Sequence, residues 1–241
     1  ARKISPALAA GCTVVLKPAE QTPLVAGAMV ALAGKAGFPA GVVNLVYAAE
    51  GDGVGRELCF NPQVRKISFT GSTEVGRLLM RQCADQVKKL SLELGGNAPF
   101  IVFDDADVDA AVDGAIQAKF RNAGQTCVSA NRLYVQAGVH DEFAEKFTAR
   151  VGTLAVGDGF APDTAIGPLI DGRALAKIEA HVADAVDKGG RIRCGGNRIA
   201  GAGTFFAPTV LTGISRGMRI AQEETFGPLA PIIRFTDADQ V

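Results

Sequence analysis

Short apolar runs alternate with helical stretches in the first part of the chain. Three runs are too short for helices and read as strands: residues 12–16, 42–47 and 65–70. Helical stretches separate them, at residues 22–36 and 51–60, and the first opens with Thr22-Pro23, a common helix start. Parallel strands need crossover connections, so this β-α-β-α-β order predicts a doubly wound parallel sheet in an α/β fold.

A small, hydroxyl-rich segment follows the third of these runs directly. Gly71-Ser72-Thr73 opens a helix that is predicted to extend to about Ala84. The N-terminus of a helix offers free N–H groups and the positive end of the helix dipole, which suits a phosphate group. The same residues also fit an ordinary capped helix, with Ser72 or Thr73 as the cap. The pattern is not GxGxxG, so by itself it leaves both interpretations open.

A second set of elements follows the glycine pair Gly95-Gly96. We predict a strand at 99–103, a helix ending near Phe120, a strand at 132–136, helices at 141–154 and 171–188, and strands at 205–211 and 231–235. A domain change near residue 95 is inferred from the position of the motifs, because the composition does not shift there. His140 and His181 have no partners at catalytic spacing and are predicted to lie on the surface.

One cysteine stands among small and polar residues. Cys127 follows Gly124-Gln125-Thr126, and Gln125 and Asn122 can hydrogen-bond within the same segment. A reactive cysteine needs access and a setting that favours the thiolate, whereas a structural cysteine is buried among apolar side chains. Cys127 is therefore a candidate nucleophile, and by this segment alone an unreactive cysteine stays the alternative. The other four cysteines lie in apolar or turn-like contexts and are interpreted as core or chance residues: Cys12, Cys59, Cys83 and Cys194.

A glutamate at the end of a predicted strand is the candidate general base. Residues 88–93 alternate polar and apolar side chains and stop at the glycine pair, so Glu93 is placed at the strand end between Leu92 and Leu94. Desolvation there would raise the pKa of Glu93 and make it a usable base near neutral pH. A solvated strand glutamate is the alternative.

These two motifs together resemble the aldehyde dehydrogenase superfamily. Leu92-Glu93-Leu94-Gly95-Gly96 is followed by Gly124-Gln125-Thr126-Cys127, with Cys127 lying 127 − 93 = 34 positions after Glu93. The order and the separation are both those of the family, and the resemblance covers essentially the whole chain, most closely to the succinate-semialdehyde dehydrogenases. It implies an aldehyde-dehydrogenase-like α/β fold, with part of a Rossmann-type cofactor domain and part of a catalytic domain.

The resemblance also implies a domain layout. Residues 1–94 would be the second half of the NAD(P)-binding domain, and residues 95–241 the catalytic domain, incomplete at its C-terminal end. Family members are about twice as long, so we expect the chain to be the central part of such a protein. The asparagine that helps to bind the oxyanion in the family lies upstream of Ala1 and has no counterpart here.

The family's binding residues carry over to several further positions. Gly71 and Ser72 would contact the dinucleotide pyrophosphate, Glu224 would bind the nicotinamide-side ribose, and Phe226 would pack near the nicotinamide. By its residues alone, Glu223-Glu224 before Phe226-Gly227-Pro228 is most often a solvated loop. Two arginines match those that bind the substrate carboxylate in succinate-semialdehyde dehydrogenases: Arg2 and Arg121. Arg121 is expected on the helix that leads to Cys127, and the alternative is that both are surface or structural arginines.

Lys17 and Glu20 bear on the choice of cofactor. Their spacing after the first predicted strand lets both reach an adenosine ribose beyond the strand end. A glutamate accepts from the 2′- and 3′-hydroxyls but repels a 2′-phosphate, and some relatives with serine at this position use NADP. We therefore expect NAD, with NADP as the alternative because Lys17 could still meet a phosphate.

Composition excludes several classes of function. Lys+Arg and Asp+Glu both number 25, so the net charge is zero and nothing argues for nucleic acid or an anionic membrane. No apolar run approaches membrane-spanning length, and no signal-peptide pattern is present. Five cysteines without paired spacing suggest neither a disulfide framework nor a metal site, and they favour a reducing cytoplasm.

The sequence therefore predicts NAD(P)-dependent oxidation of an aldehyde to a carboxylic acid, most specifically of succinate semialdehyde to succinate. Two alternatives stay open: an aldehyde dehydrogenase for uncharged aldehydes, and a catalytically incomplete dinucleotide-binding fragment. The expected partners are a small aldehyde and, in the full-length protein, further copies in a homodimer or homotetramer.

Overall fold

The computed structural model describes residues 1–49 and 51–241, with side-chain environments for all of these except Gly51 and Asp52. The chain divides into two compact units, Ala1–Leu94 and Gly95–Val241. Within the described residues, no helix is both long and apolar enough to span a membrane.

The first unit alternates helices and short strands. Its strands are β1 (Val14–Leu16), β2 (Val43–Leu45), β3 (Lys66–Thr70) and β4 (Lys89–Glu93), and its helices are α1 (Ile4–Ala9), α2 (Pro23–Lys35), α3 (Gly51–Phe60) and α4 (Thr73–Cys83). The strands pair in parallel, as the alternation predicted, β1 with β2 and β3 with β4. They form two separate two-stranded sheets rather than one continuous sheet.

Little of the first unit is deeply buried. Helix α2 is apolar along its length, yet it has no buried residue, and Leu24 is 84% exposed. The buried cluster consists of Cys59, Leu79 and Cys83 between α3 and α4. Burial and a hydrogen bond with Cys83 raise the pKa of the Cys59 thiol to about 11, which keeps it protonated and unreactive at neutral pH.

The second unit is built on a five-stranded sheet of order β5-β6-β9-β8-β7. Its strands are β5 (Ala98–Val102), β6 (Ala130–Gln136), β7 (Arg191–Cys194), β8 (Thr209–Thr212) and β9 (Leu229–Phe235), and its helices are α5 (Val108–Phe120), α6 (His140–Gly152), α7 (Gly172–Asp187) and α8 (Arg219–Gln222). All neighbours are parallel except the edge strand β7, which runs antiparallel to β8.

Three features of this unit differ from the sequence-based prediction. Strand β7 and the four-residue helix α8 were not predicted, since both are too short for a periodic signal. The strand predicted at 205–211 begins only at Thr209, directly after Pro208, which cannot donate to a ladder. Phe206 forms an isolated bridge with Arg198 instead.

Both faces of the sheet in the second unit carry a core. Helices α5 and α6 cover one side, where the rings of Phe143 and Phe147 stack with centroids 5.4 Å apart and Phe120 packs beside them. Helix α7 covers the other side, with Ile178 and Leu211 fully buried. Burial on both faces explains why β9 is a nearly continuous apolar strand.

The prediction that both histidines lie on the surface is wrong. His181 is 0% exposed, because it lies on the inward face of α7, and its Nε2 contacts Glu223 Oε2 at 3.1 Å. His140 is also buried, at the start of α6, with its Nδ1 2.7 Å from Asp141 Oδ1. The carboxylate partner of His181 lies 42 positions away in sequence, so spacing alone could not reveal it.

Candidate active site

The segment between α5 and β6 turns through three consecutive residues in the left-handed region. Asn122, Ala123 and Gly124 have φ values of 55°, 56° and 72°. This region is uncommon for residues other than glycine, and strain of this kind is concentrated at functional sites. Gly124 is also required by space, since a Cβ there would collide with the carbonyl of Gly227. The turn buries Ala123 and Gly124 and leaves Cys127 exposed.

Hydrogen bonds fix this turn from several sides. Asn122 Nδ2 donates to the carbonyl of Gln125 at 3.0 Å, so the predicted local bonding is present. The Gln125 side chain donates to the Pro168 carbonyl at 3.2 Å and accepts from the Ile170 N–H at 2.9 Å. Ser129 Oγ donates to the Lys119 carbonyl at 3.2 Å. The exposed Cys127 thus stands on a loop whose backbone is held at both ends.

A second loop, Glu223–Gly227, packs against the cysteine loop within the same unit. The Glu224 carboxylate lies over the backbone of Gly95 and Gly96: Oε1 accepts from Gly96 N at 3.3 Å, and a Cβ on Gly95 would collide with this carboxylate. Helix α7 holds the loop from behind, where Lys177 Nζ donates to the Glu224 carbonyl at 2.6 Å. Phe226 adopts a left-handed φ of 52° with its ring partly exposed.

A buried polar network connects these loops. Lys119 Nζ donates to Thr225 Oγ1 at 3.1 Å, and the Thr225 hydroxyl donates to Asn131 Oδ1 at 2.7 Å. Asn131 Nδ2 then donates to the Gly96 carbonyl at 3.3 Å. Burial lowers the pKa of Lys119 to about 7, against the opposing attraction of the Glu224 carboxylate. The network therefore joins the end of α5, the start of β6, the glycine pair and the Glu224 loop.

The second unit thus brings together the loops that carry Cys127, Glu224 and Phe226. Arg121 differs from its predicted place: α5 ends at Phe120, and Arg121 is its exposed C-cap residue, directly before the left-handed turn. The helical-turn spacing expected between Arg121 and Cys127 does not apply, because the chain leaves the helix before Asn122.

In the first unit, Lys17 and Glu20 form a pair just after β1. Lys17 Nζ lies 2.6 Å from Glu20 Oε1, and it also donates to the Pro18 carbonyl at 2.9 Å. The hydrogen bond from Lys17 holds the pKa of Glu20 below its ordinary value, so the glutamate is ionised and paired. Arg2 lies elsewhere in this unit, exposed in the turn before α1.

Gly71, Ser72 and Glu93 meet at the ends of β3 and β4. Ser72 is the N-cap of α4, and its hydroxyl accepts from Val75 N at 3.2 Å. The Gly71 N–H donates to the Glu93 carbonyl at 3.1 Å, so both groups already have partners within the chain. The expectation that Glu93 is desolvated is wrong for this chain: Glu93 is exposed, because Leu92 and Leu94 point to the opposite face of the strand.

Comparison with known proteins decides the family. The model of the aldehyde dehydrogenase family matches residues 1–241, the whole chain. The chain belongs to the aldehyde dehydrogenase family. The resemblance inferred from Glu93 and Cys127 is thereby confirmed.

Individual relatives agree with this placement. The chain is 78% identical over its full length to a probable succinate-semialdehyde dehydrogenase (NADP(+)) of Sinorhizobium fredii, of which it covers 49%. It is 59% identical to a glutarate-semialdehyde dehydrogenase of Pseudomonas putida, again covering 49%. The crystal structure of an E. coli NADP dependent enzyme superposes on 99% of the chain and 50% of its own length, with a TM-score of 0.97 and 60% identity. The α/β, aldehyde-dehydrogenase-like fold is confirmed, and the chain spans about half the length of the curated relatives it matches.

Sequence reasoning missed the buried residues that hold the loops of this candidate site together. Lys119, Thr225 and Asn131 were not singled out, although all three are buried. A signal was present for Lys119, since it lies seven positions after Val112 on the buried face of α5, where an apolar residue is expected. In the described part of the chain, no cluster of three or more metal-ligating side chains is found.

Proposed function

We propose that this chain carries the chemistry of an NAD(P)-dependent aldehyde dehydrogenase, in which Cys127 forms the covalent intermediate and residues 1–94 contribute to dinucleotide binding. The observation that carries the proposal is the exposed Cys127 on a strained, hydrogen-bonded loop packed against the Glu224 loop. Residues 95–241 then form the catalytic unit. An exposed thiol on a fixed backbone is what nucleophilic attack on a small carbonyl requires.

The reaction begins at the sulfur. The Cys127 thiolate adds to the aldehyde carbon, and the carbonyl oxygen becomes the oxyanion of a thiohemiacetal. The dinucleotide, when bound, supplies the hydride acceptor for the oxidation. The carbon attached to Cys127 then stands at the level of a thioester, which retains the acyl group on the enzyme until water cleaves it.

Glu93 is proposed as the base for that cleavage. Its carboxylate takes a proton from water, the hydroxide attacks the thioester carbon, and the Cys127 thiolate leaves as the carboxylic acid forms. The exposure of Glu93 in this chain leaves its carboxylate open to water. The proposed base therefore relies on access rather than on the burial first expected.

The side chains present fit a nicotinamide dinucleotide. Glu224, partly exposed, offers carboxylate oxygens to a ribose diol, and Phe226 offers an aromatic ring beside it. Lys17 and Glu20 would meet the second ribose, and Gly71-Ser72 at the start of α4 would lie near the pyrophosphate. Because Gly71 N–H and Ser72 Oγ already have partners, the contribution there comes from the dipole of α4.

We propose NADP rather than NAD as the preferred acceptor, which reverses the initial expectation. The descriptions of the Sinorhizobium relative and of the E. coli structure both name NADP. The ion pair supports the same choice, since Lys17 neutralises Glu20 at 2.6 Å and weakens its repulsion of a 2′-phosphate. Glu20→Ser should then raise NADP preference further, and Lys17→Met should reduce it, as measured by the ratio of kcat/KM for the two dinucleotides.

The proposed substrate is a short semialdehyde with a carboxylate at its far end, succinate semialdehyde first. Arg121, exposed at the start of the cysteine loop, and Arg2 supply guanidinium groups that match a carboxylate. One relative is described as a glutarate-semialdehyde dehydrogenase, so the five-carbon glutarate semialdehyde is the first alternative substrate. Assembly into homodimers or homotetramers and a cytoplasmic location stay predictions.

The test is an aldehyde panel with the full-length gene product. Formation of NADPH should be fastest with succinate semialdehyde, slower with butanal, and absent in the Cys127→Ala variant, which should still bind the dinucleotide. Arg121→Leu should raise KM for succinate semialdehyde by roughly ten- to a hundredfold, because an arginine–carboxylate contact is lost, and leave butanal nearly unchanged.

Two outcomes would contradict the proposal. Turnover retained in Cys127→Ala would remove the nucleophile assignment, and no oxidation of any aldehyde would favour a dinucleotide-binding protein without this activity. Equal losses on both aldehydes in Arg121→Leu would make the arginine structural and return the substrate to an unspecified aldehyde.

A further inference from the structure

Lys119 occupies a buried position, where an apolar side chain would avoid the desolvation cost of an ammonium group. It is 0% exposed and lies on the inward face of α5, in line with Val112 and Ala115. Transfer of an ammonium group into a protein interior is strongly unfavourable, and its cost exceeds what one neutral hydrogen bond returns. Among the described residues, Thr225 Oγ1 is the hydrogen-bond acceptor found for Nζ. A stabilising role does not account for such a group.

The position of the amine points to the Glu224 loop. Thr225, which accepts from Lys119, is the residue directly after Glu224, and its hydroxyl passes the hydrogen bond on to Asn131 at 2.7 Å. Asn131 donates to the carbonyl of Gly96, and the N–H of the same Gly96 donates to Glu224 Oε1. The hydrogen bonds therefore form a closed circuit that begins and ends at the Glu224-Thr225 pair, and the buried amine of Lys119 donates into this circuit at Thr225 Oγ1.

We propose that Lys119 is a positioning residue that, through Thr225, Asn131 and Gly96, holds the Glu224 carboxylate in place for the nicotinamide-side ribose. The proposal deepens the function proposed above and rests on it, since it takes Glu224 to be a ribose ligand. A charged Lys119 attracts the carboxylate and fixes it over the glycine pair, so that two acceptor oxygens are presented before the dinucleotide arrives. Preorganisation of this kind increases affinity by reducing the ordering cost of binding.

The charge on Lys119 changes near neutral pH. Burial lowers its pKa to about 7, and Glu224 is the charged group whose field acts against that shift. Lys177 and His181 reach the same loop from α7, where they contact the Glu224 carbonyl and the Glu223 carboxylate. Above neutral pH the amine is neutral, the attraction on Glu224 weakens, and dinucleotide binding is expected to weaken with it.

The experiment measures NADH binding by fluorescence in the full-length protein in a Cys127→Ala background, which removes turnover. NADH is the probe because it has no 2′-phosphate to titrate. From pH 6.5 to 8.5 the dissociation constant should rise on the order of fivefold to tenfold, the difference between a charged and a neutral hydrogen-bond donor. Lys119→Met should bind weakly at every pH, and Lys119→Arg, always charged, should bind tightly at every pH.

His181→Gln is the matched control, because it removes the other buried titratable group at this loop and should retain the pH dependence. The proposal is overturned if Lys119→Met keeps the affinity and the pH profile of its parent, or if His181→Gln alone abolishes the profile. If Lys119→Arg does not fold, Thr225→Val, which interrupts the circuit, should also weaken binding while leaving Lys119 in place, and unchanged affinity would overturn the proposal. A parent protein that binds neither NADH nor NADPH would instead refute the proposed function.

Discussion

The two units of this chain differ in how they hold their functional residues. In the second unit, Cys127 and Glu224 stand on loops anchored to two buried cores and joined by the Lys119 network. In the first unit, Lys17 and Glu20 follow a three-residue strand, and the neighbouring α2 has no buried side chain. The proposed nucleophile and the proposed nicotinamide-side ribose ligand thus have a rigid support, whereas the residues proposed to contact the distant part of a dinucleotide lie on lightly packed segments.

This difference in packing indicates which of the proposed functional residues must be positioned precisely. A nucleophile must be placed within about half an ångström of its productive position, and only packed elements achieve this. Contacts with the adenosine end of a cofactor tolerate more freedom, because they contribute binding energy without touching the reacting carbon. Predictions that compare similar changes in the first and the second unit test this interpretation.

Removing a core ring should affect the second unit far more than a similar change in the first. Phe147→Ala deletes a fully buried ring stacked on Phe143 and should lower the free energy of unfolding by about 3–5 kcal/mol. Leu24→Ala, on the exposed face of α2, should change it by less than ~0.5 kcal/mol. Urea denaturation of the 241-residue chain measures both.

The chain itself offers a probe for that measurement. It contains no tryptophan and two tyrosines, so a Tyr47→Phe background leaves Tyr134 in β6 as the fluorescent reporter of the second unit for Phe147→Ala, and a Tyr134→Phe background leaves Tyr47 as the reporter of the first unit for Leu24→Ala. A large loss in Leu24→Ala, or none in Phe147→Ala, would contradict the contrast drawn between the units.

Lys119 makes the stability of the second unit depend on pH. Its pKa is about 7 in the folded chain and ~10.4 when exposed, so between these values the unfolded state binds one more proton than the folded state. Stability should therefore increase with pH by up to ~1.4 kcal/mol per pH unit above pH 7, and the full cost of burying the charge applies below pH 7.

The Lys119→Met variant lacks this pH dependence of stability, so comparing it with its parent measures the contribution of Lys119. The variant should be more stable than its parent at pH 7. The difference in the free energy of unfolding between the two, measured by urea denaturation, should decrease by about 2 kcal/mol or more by pH 9. His181 does not interfere, because burial lowers its pKa and it is neutral throughout this window. A constant gap between pH 7 and 9 would mean that the buried amine keeps one charge state.

The sequence revealed more of the first unit's order of elements than of the second unit's site. Period and glycine–proline signals were enough for α2, β3 and α4, because these are local features. The strand pairing was not local, and the four strands form two pairs instead of one sheet. Motif spacing indicated Glu93 and Cys127 as the candidate base and nucleophile through the family resemblance, and these roles stay predictions. The Lys119–Thr225–Asn131 network joins residues up to 106 positions apart, and no local pattern encodes such contacts.

Two helix caps offer a smaller, matched comparison between the units. Ser72 caps α4 in the first unit and Asp107 caps α5 in the second, each accepting from the backbone N–H three residues later. Replacement of either by alanine should cost about 1 kcal/mol of stability, since one helix N–H loses its partner. Ser72→Ala should in addition weaken dinucleotide binding in the full-length protein, because loss of the cap loosens the first turn of α4 whose dipole is proposed to act on the pyrophosphate, and Asp107→Ala should not. Equal effects on binding would remove Ser72 from the proposed cofactor site.

The most direct test of the division of labour between Cys127 and Glu93 is to trap the acyl-enzyme. In full-length Glu93→Gln, thioester cleavage should stall, so rapid mixing with NADP and succinate semialdehyde should give a burst of NADPH followed by little turnover. Mass spectrometry of the quenched protein should find one succinyl group on the peptide that contains Cys127. An unmodified Cys127, or an unchanged steady-state rate, would contradict the assignment of nucleophile and base.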